Sequence, residues 1–570
     1  MNPPTDKAAE PNSLRRTCRG RLPRTRPATL LRWLVFASMI AFVSLSLAEV
    51  FLVPPGEGFD EMAHYAYVSL LADEGRIPVI GQDTMDASWQ ERREHFPEPY
   101  GVMPGTTTYR ELFEQPDAAR REALAAWYGR PDGAIRYRAG RASNWEGQHP
   151  PLYYLLTVPI YKLTAGLSIG HRLLWMRLVS VIIACSSAVF FWLAWRAAAS
   201  ETQRRLALGV ALAALTPSLV LDVARLGNDS LSMALAAALF WQLLALRTSK
   251  RPWLTVTVVG IILGLGCLTK AFFVAFAPGI IVAIALMLRR RAHWRTVVAQ
   301  CALVALICLA VAGWWHVRSY RLYGMWIVTR DALALRGAEA VGLGLLEFAR
   351  ETGRWLGVVW ATYFCSGTWS FALPPLGWYV PFGVLTVLAV AGFLRRFRSA
   401  FLRSGESAVL LALPLVLVGL VWHVIVMVRA KGVGQTSGYY LHVAWPFMAL
   451  LLGGALLQLR RTWLRALIAA SLVGCFITAR VGNLAQLLLY GGIAEKGPSG
   501  FIAIPDGTGA GALAEAARNL GELVPLGSGL PFYVIGVAAQ LTVLVLAARW
   551  LLADAGSPVY DGVSEDTGRG

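Results

Sequence analysis

The chain has 570 residues, 56% of them hydrophobic and only 15% charged, with a mean hydropathy of +0.50. An ordinary globular domain is about 45–50% apolar and about 25% charged, and the excess here lies in runs of about 18–23 residues, long enough to span about 30 Å of hydrocarbon, which excludes a soluble enzyme. The net charge of +18 sits in short clusters between these runs, a mark of membrane topology rather than of nucleic-acid binding.

Residues 1–30 form a basic tail with Arg15, Arg16, Arg19, Arg21, Arg24 and Arg26, expected in the cytoplasm. The first apolar run, 31–53, reads as a membrane helix. Ser46-Leu47-Ala48 resembles a signal-peptide cleavage site, but the basic region before the run is too long for a signal peptide. An external segment, 54–172, comes next. Further spans are expected at 173–195, 206–224, 230–247, 252–269, 271–288 and 296–315, then, after an external segment at 316–377, at 378–394, 408–428, 439–458 and 464–482. A third external segment, 483–529, precedes a last span at 530–552 and a cytoplasmic tail at 553–570. That makes about twelve spans.

Charge supports the alternation. Cytoplasmic loops are rich in Lys and Arg, and the alternating assignment puts inside Arg204 and Arg205; Arg247, Lys250 and Arg251; Arg289, Arg290, Arg291 and Arg295; Arg395, Arg396, Arg398 and Arg403; and Arg460, Arg461 and Arg465. Arg429 and Lys431, in a short outer loop, are the exception and mark a functional position. Residues 151–166 are apolar but would invert the pattern if they crossed, so they are read as a helix lying in the interface. The expected fold is an all-α polytopic bundle with a partly helical external cap. Most cysteines fall in apolar runs, Cys365 in a polar loop, and no Cys or His spacing supports a disulfide framework or a zinc site.

Six motifs collect at the outer face. Pro54-Pro55-Gly56 ends the first helix, and Asp60 is placed to cap a new one reaching about Glu74. Asp60 and His64 are four apart and share a face. The Asp60-Glu61 pair at the mouth of a bundle is costly unless solvated, paired or used; a capping Asp with a solvated Glu and a catalytic pair are both open readings. Next, Asn144-Trp145-Glu146-Gly147-Gln148-His149-Pro150-Pro151 opens the interfacial helix, and Tyr153 and Tyr154 suit surface anchors. Arg225-Leu226-Gly227-Asn228-Asp229 ends the third span. Lys270 closes Leu268-Thr269-Lys270, where it either snorkels to the interface or binds an anionic phosphate. Arg318 and Arg321 leave the seventh span after Trp314-Trp315. Gly438-Tyr439-Tyr440-Leu441 enters the tenth.

In this order, on one face, the motifs resemble those of the GT-C superfamily of membrane glycosyltransferases, such as the protein O-mannosyltransferases and the aminoarabinose transferases that modify lipid A. They are closer still to a family of bacterial predicted membrane proteins within that superfamily. The resemblance covers roughly residues 30–460 and is more specific in its first half. The sequence departs from the pattern where Tyr439 stands for a more usual Arg, with Arg429 and Lys431 as substitutes for that charge, and where His149 stands for the Lys of the lipid A enzymes.

The resemblance implies transfer of a sugar from a polyprenyl-phosphate donor to a lipid, glycan or protein acceptor on the external face of the bacterial cytoplasmic membrane, with both termini inside. It implies Asp60 as general base, with Glu61 assisting or holding a metal and His64 orienting Asp60. It implies Lys270, Arg318, Arg321, Arg429 and His149 at the donor phosphate, and Glu146, Gln148, Asn228, Asp229, Tyr439 and Tyr440 around the substrate. A pair of carboxylates suits Mg²⁺ or Mn²⁺, and the resemblance leaves the metal open. Two alternatives are a lipid-linked glycan polymerase or ligase, whose decisive loop falls late in the chain, and a transporter or flippase. The latter calls for charges near the midplane or internal repeats; no repeat is visible, and Asp222 at an outer span end is the nearest charge.

Overall fold

The computed structural model describes residues 27–93, 97, 107–336, 341–366, 374–397, 407–496, 502, 503, 505 and 507–554. The basic tail through Arg26, Arg398, Arg403 and the tail from residue 555 onward lie outside these. The described chain is almost wholly helical, as an apolar chain must be where no water can satisfy its backbone. The two small sheets are two-stranded: Thr84–Asp86 pairs antiparallel with Ala139–Ser143, and Glu495–Lys496 with Ile502–Ala503.

Among the described residues nine helices are long and apolar enough to cross a membrane, from Ala28–Leu52 to Leu526–Ala553. A bent pair, Ser200–Ala214 and Pro217–Val223, makes a tenth if the two pieces count as one span, and two shorter apolar helices are Pro252–Cys267 and Phe272–Leu288. The continuous third span expected at 206–224 is thus corrected to two pieces meeting at 74°. Pro217 is the cause: its ring disfavours helix for Thr216, which adopts φ −100°, ψ 98°. The carbonyl freed at Ala214 accepts a 2.6 Å hydrogen bond from Gln540 Nε2 on the last helix, and Arg480 holds Gln540 Oε1 at 3.1 Å.

Two buried cores organise the molecule. The larger joins the long helices through residues such as Leu34, Phe191, Phe240, Phe276, Phe382 and Phe447. The second unites residues 54–172 with residues 483–529 through Tyr65, Trp89, Trp127, Tyr161, Leu488 and Leu520. The helix expected to lie in the interface runs Leu152–Leu163, 12 residues, too short to cross at about 1.5 Å per residue. Cys365, expected in a polar loop, is buried at the end of helix Leu345–Phe364.

Candidate active site after the first long helix

The turn Pro54–Asp60 delivers the chain from the first long helix into helix Glu61–Glu74. Gly58 is required there, because a Cβ would stand 2.7 Å from the Cβ of Arg225. Asp60 then takes φ 56°, ψ 15°, one of two left-handed non-glycine residues among those described. Such a backbone is sparsely populated and clusters at functional sites, although Asp tolerates it better than most residues. The expected side-chain cap is absent. Instead Asp60 Oδ1 accepts a 2.9 Å hydrogen bond from Trp145 Nε1, and the carboxyl is half-buried. Burial pushes it above the usual carboxylate range, opposed by the charge of Arg225, the Trp145 bond, Lys270 and Arg330.

Beside Asp60 lies a buried knot of charge. Arg225 donates to Phe59 O at 2.6 Å, to Asp222 Oδ1 at 2.7 Å and to Asp229 Oδ2 at 2.6 Å. Lys270 Nζ bonds Asp229 Oδ1 and is buried, so the snorkelling reading of Lys270 is overturned. An ammonium has three donors, and Asp229 is its one hydrogen-bonded partner among the described residues. Asp222 also faces His442 Nδ1 at 3.2 Å, so this carboxylate is contacted on two sides. Aromatic rings wall the knot. Phe59 stacks on Tyr439 with centroids 4.9 Å apart, Arg225 lies 5.4 Å over the Tyr439 ring, and Lys270 lies 5.7 Å from the rings of Phe272 and Tyr440. Gly438 permits this approach, since a Cβ would meet Val359 O at 2.1 Å.

On the other side of Trp145 is a cluster of polar side chains. Glu146 Oε2 stands 3.1 Å from His149 Nε2, 3.4 Å from His64 Nδ1 and 3.4 Å from Tyr154 OH. Burial, then the neighbouring Asp60 charge, pushes the Glu146 carboxyl well up and favours its protonated form. Burial, reinforced by Lys270, pushes His149 down to about 3, so it is a neutral hydrogen-bonding group near pH 7. Burial lowers His64 well below the usual imidazole value.

Several expected roles change. His64 bonds Tyr154 OH at 2.9 Å and does not orient Asp60. Glu61 turns to Arg177, whose Nε and Nη2 reach its two oxygens at 2.7 and 2.6 Å, and Leu226 N donates to Oε1 at 3.0 Å. With both oxygens engaged Glu61 offers no free ligand beside Asp60, and no group of three His, Cys, Asp or Glu among the described residues is arranged to hold a metal ion. Tyr153 and Tyr154 are fully buried rather than surface anchors: Tyr153 OH accepts from Gly227 N, and Tyr154 stacks on Tyr67 at 3.6 Å. Arg318 donates to Pro78 O at 3.2 Å and stacks on Trp315 at 4.9 Å. Arg321 and Arg429 are exposed. Neither is among the leading charges at Asp60, and the cation over the Tyr439 ring is Arg225. Asn228 Nδ2 donates to Thr269 O at 3.2 Å and ties the knot to the Lys270 turn. Gln148 Oε1 accepts from Arg330 N at 2.8 Å.

Sequence reading left Arg225, Trp145, Arg177 and Arg330 without roles. The signal for Arg225 was an Arg flanked by Asp222 and Asp229, three and four residues away, in apolar surroundings. That for Arg177 was a lone cation within a span.

Residues 44–324 match the family model described as "Predicted membrane protein (DUF2142)". The DUF2142 match takes in Asp60, Trp145, Glu146, Arg225, Asp229 and Lys270, and ends before Arg330, Tyr439 and Tyr440. It agrees with the predicted-membrane-protein family that the outer-face motifs resemble. None of the curated proteins matches the chain. Solved structures similar to it include ArnT from Cupriavidus metallidurans bound to undecaprenyl phosphate, at 14% identity over 93% of this chain and 78% of that one, with a TM-score of 0.41. The apo form of ArnT gives 16% identity, 86% and 74% coverage and 0.35. The Archaeoglobus fulgidus oligosaccharyltransferase in complex with Zn and sulfate gives 14% identity, 73% and 52% coverage and 0.34.

Proposed function

We propose that the protein is a membrane glycosyltransferase of the GT-C type, which moves a sugar from a polyprenyl-phosphate donor to an acceptor hydroxyl at the external face, inverting the anomeric carbon. The observation that carries this reading is the half-buried Asp60 carboxylate, held in a left-handed backbone beside Arg225 and Lys270. A carboxylate with raised proton affinity next to fixed cations suits a reaction that removes a proton at one end and releases an anion at the other.

The acceptor O–H gives its proton to Asp60 as its oxygen forms a bond to the anomeric carbon. The bond from that carbon to the phosphate oxygen breaks, and the electron pair leaves with the polyprenyl phosphate. A phosphate is stable as an anion and needs cationic neighbours more than a general acid. Lys270 suits that role, since one of its donors is committed to Asp229 and two remain. Arg225, fully engaged with Phe59 O, Asp222 and Asp229, sets the field and fixes Asp229. Phe59, Tyr439 and Tyr440 offer an aromatic wall for the sugar, and the uncharged pair Glu146 and His149 offers hydrogen bonds to its hydroxyls.

The test uses the full chain in proteoliposomes with a panel of polyprenyl-phosphate donors, single-sugar and oligosaccharide, and mass spectrometry of the released lipid phosphate. Wild-type protein should turn over a single-sugar donor, and Asp60→Asn should lower that turnover by about a hundred-fold or more while the protein stays folded in the membrane. Undiminished turnover by Asp60→Asn would remove Asp60 from the chemistry. Turnover of oligosaccharide donors alone would assign the protein to the glycan ligases.

A further inference from the structure

We propose that Trp145 and Arg330 are positioning residues for Asp60: the indole N–H fixes the carboxylate toward the cleft, and Arg330, arriving from the second external segment, fixes the indole. This rests on the reading of Asp60 as the base. Asp60 makes no cap bond to its own helix, and Trp145 Nε1 is its one hydrogen-bonded side-chain partner among the described residues. The Trp145 ring is itself half-buried and carries the Arg330 guanidinium 5.1 Å from its centroid. A cation stacked on an indole face is a directional contact, stronger where water is partly excluded.

The arrangement is tied from both sides of the cleft. Arg330 N donates to Gln148 Oε1 at 2.8 Å, within the same turn, Trp145–Gln148, that carries the indole. The next residue, Asp331, pairs with His423 Nε2 at 3.3 Å and Lys431 Nζ at 3.4 Å on helix Leu413–Lys431. His423 in turn contacts Thr436 Oγ1 at 2.8 Å, just before the Gly438–Ala444 turn that presents Tyr439 and Tyr440. Helix Arg330–Ala334 thus bridges the turn that orients Asp60 and the turn that walls the sugar site.

The charged and titratable groups that act on Asp60 are Arg225 from the link after Pro217–Val223, Lys270 from the turn before Phe272–Leu288, Arg330 from helix Arg330–Ala334, Glu146 from the Trp145 turn, and Tyr439 and Tyr440 from the Gly438–Ala444 turn. Arg225, Asp229 and Lys270 neutralise one another in the buried knot, so altering any of them strands a buried charge. Trp145 and Arg330 stand outside that knot. Both favour the Asp60 anion, the first by a hydrogen bond and the second by its charge, so loss of either must raise the pH at which Asp60 loses its proton.

That pH can be read without knowing the substrate. A hydrophobic carbodiimide modifies a protonated carboxyl, so the labelling of Asp60 itself against pH, on the full chain in detergent, reports its titration once fragment-ion mass spectrometry separates it from Glu49, Glu57 and Glu61 nearby in the sequence. Trp145→Phe keeps the ring and removes the N–H; Arg330→Gln removes the charge at an exposed side chain and keeps the fold. Trp145→Phe is expected to move the half-labelling pH upward by about one unit, and Arg330→Gln upward by less, since Arg330 is the weakest of the named influences on Asp60. Arg330→Lys is expected to return it most of the way, and Arg321→Gln to leave it unchanged. Half-labelling at the wild-type pH in both Trp145→Phe and Arg330→Gln would overturn the proposal, and a shift in Trp145→Phe alone would overturn the part given to Arg330. The donor assay separates the two claims: if Asp60→Asn turns donor over normally while the labelling shifts are present, the assignment of Asp60 as base fails and the positioning remains.

Discussion

Replacing Glu61 with Gln separates a structural carboxylate from a catalytic one. In the wild-type protein the Glu61 side chain is wholly buried and accepts from Arg177 Nε and Nη2 at 2.7 and 2.6 Å and from Leu226 N at 3.0 Å. Arg177 also donates to Val53 O at 2.6 Å and Pro54 O at 3.0 Å. The pair therefore fastens the end of the first helix, the Asp60 helix, helix Ile169–Ala197 and the Arg225 link at a single point. Gln retains one oxygen and the shape but removes the charge, leaving the Arg177 guanidinium uncompensated where no water reaches it. Breaking a buried pair by removing one partner costs about 3–5 kcal/mol. The assay is thermal unfolding of the purified protein in detergent, followed by size-exclusion chromatography, with donor turnover measured on the fraction that remains folded. Glu61→Gln should melt markedly earlier, and its folded fraction should keep most of its turnover per molecule. Glu61→Leu combined with Arg177→Met should recover much of the lost stability, since an apolar pair of similar volume removes the stranded charge. Wild-type melting together with lost turnover in Glu61→Gln would refute the reasoning and return Glu61 to the chemistry.

Two further outcomes follow from the charge knot and the Glu146 cluster. Lys270→Ala should weaken donor use and also lower stability, because Asp229 loses a partner; Lys270→Arg should restore stability further than donor use, and unchanged donor kinetics in Lys270→Ala would discard the phosphate role. His149 has its proton affinity lowered to about 3 by burial, so it contributes stability that is fully present above the ordinary imidazole value and is lost as pH falls from there toward about 3. His149→Gln should therefore lose less melting temperature than wild type between pH 7 and pH 4, and equal losses would show that the imidazole titrates freely.

The bundle was legible because a span leaves two marks in the sequence, apolar length and flanking Lys and Arg, and neither depends on tertiary contact. The bend at Thr216-Pro217 was not read, because a single Pro within an apolar run signals both a tolerated kink and a complete turn. At the site, Asp60 stood out by position, just beyond a Pro-Gly turn, and Lys270 by its place in an outer loop. Which partner each takes was not legible. Glu61 and Asp60 are adjacent, yet the left-handed backbone at Asp60 commits one to Trp145 and the other to Arg177. Arg429 and Arg321 looked equivalent to Arg225 as outer-face cations; burial distinguishes them, and burial of a particular Arg depends on helix rotations that no local pattern encodes. Tyr153 and Tyr154 carry the composition of an interface belt but fill the second core, because the cap above them excludes the surface they were expected to meet.

The amide of Gln540 on the carbonyl of Ala214 has a consequence for biosynthesis. The broken crossing emerges from the ribosome more than three hundred residues before the side chain that satisfies its loose end. Until helix Leu526–Asp554 inserts and settles along the first helix, the carbonyl at the break must find water or a lipid headgroup. A nascent chain stopped short of that last helix would keep every group of the cleft named above, yet leave the Ala214 carbonyl without the amide that caps it.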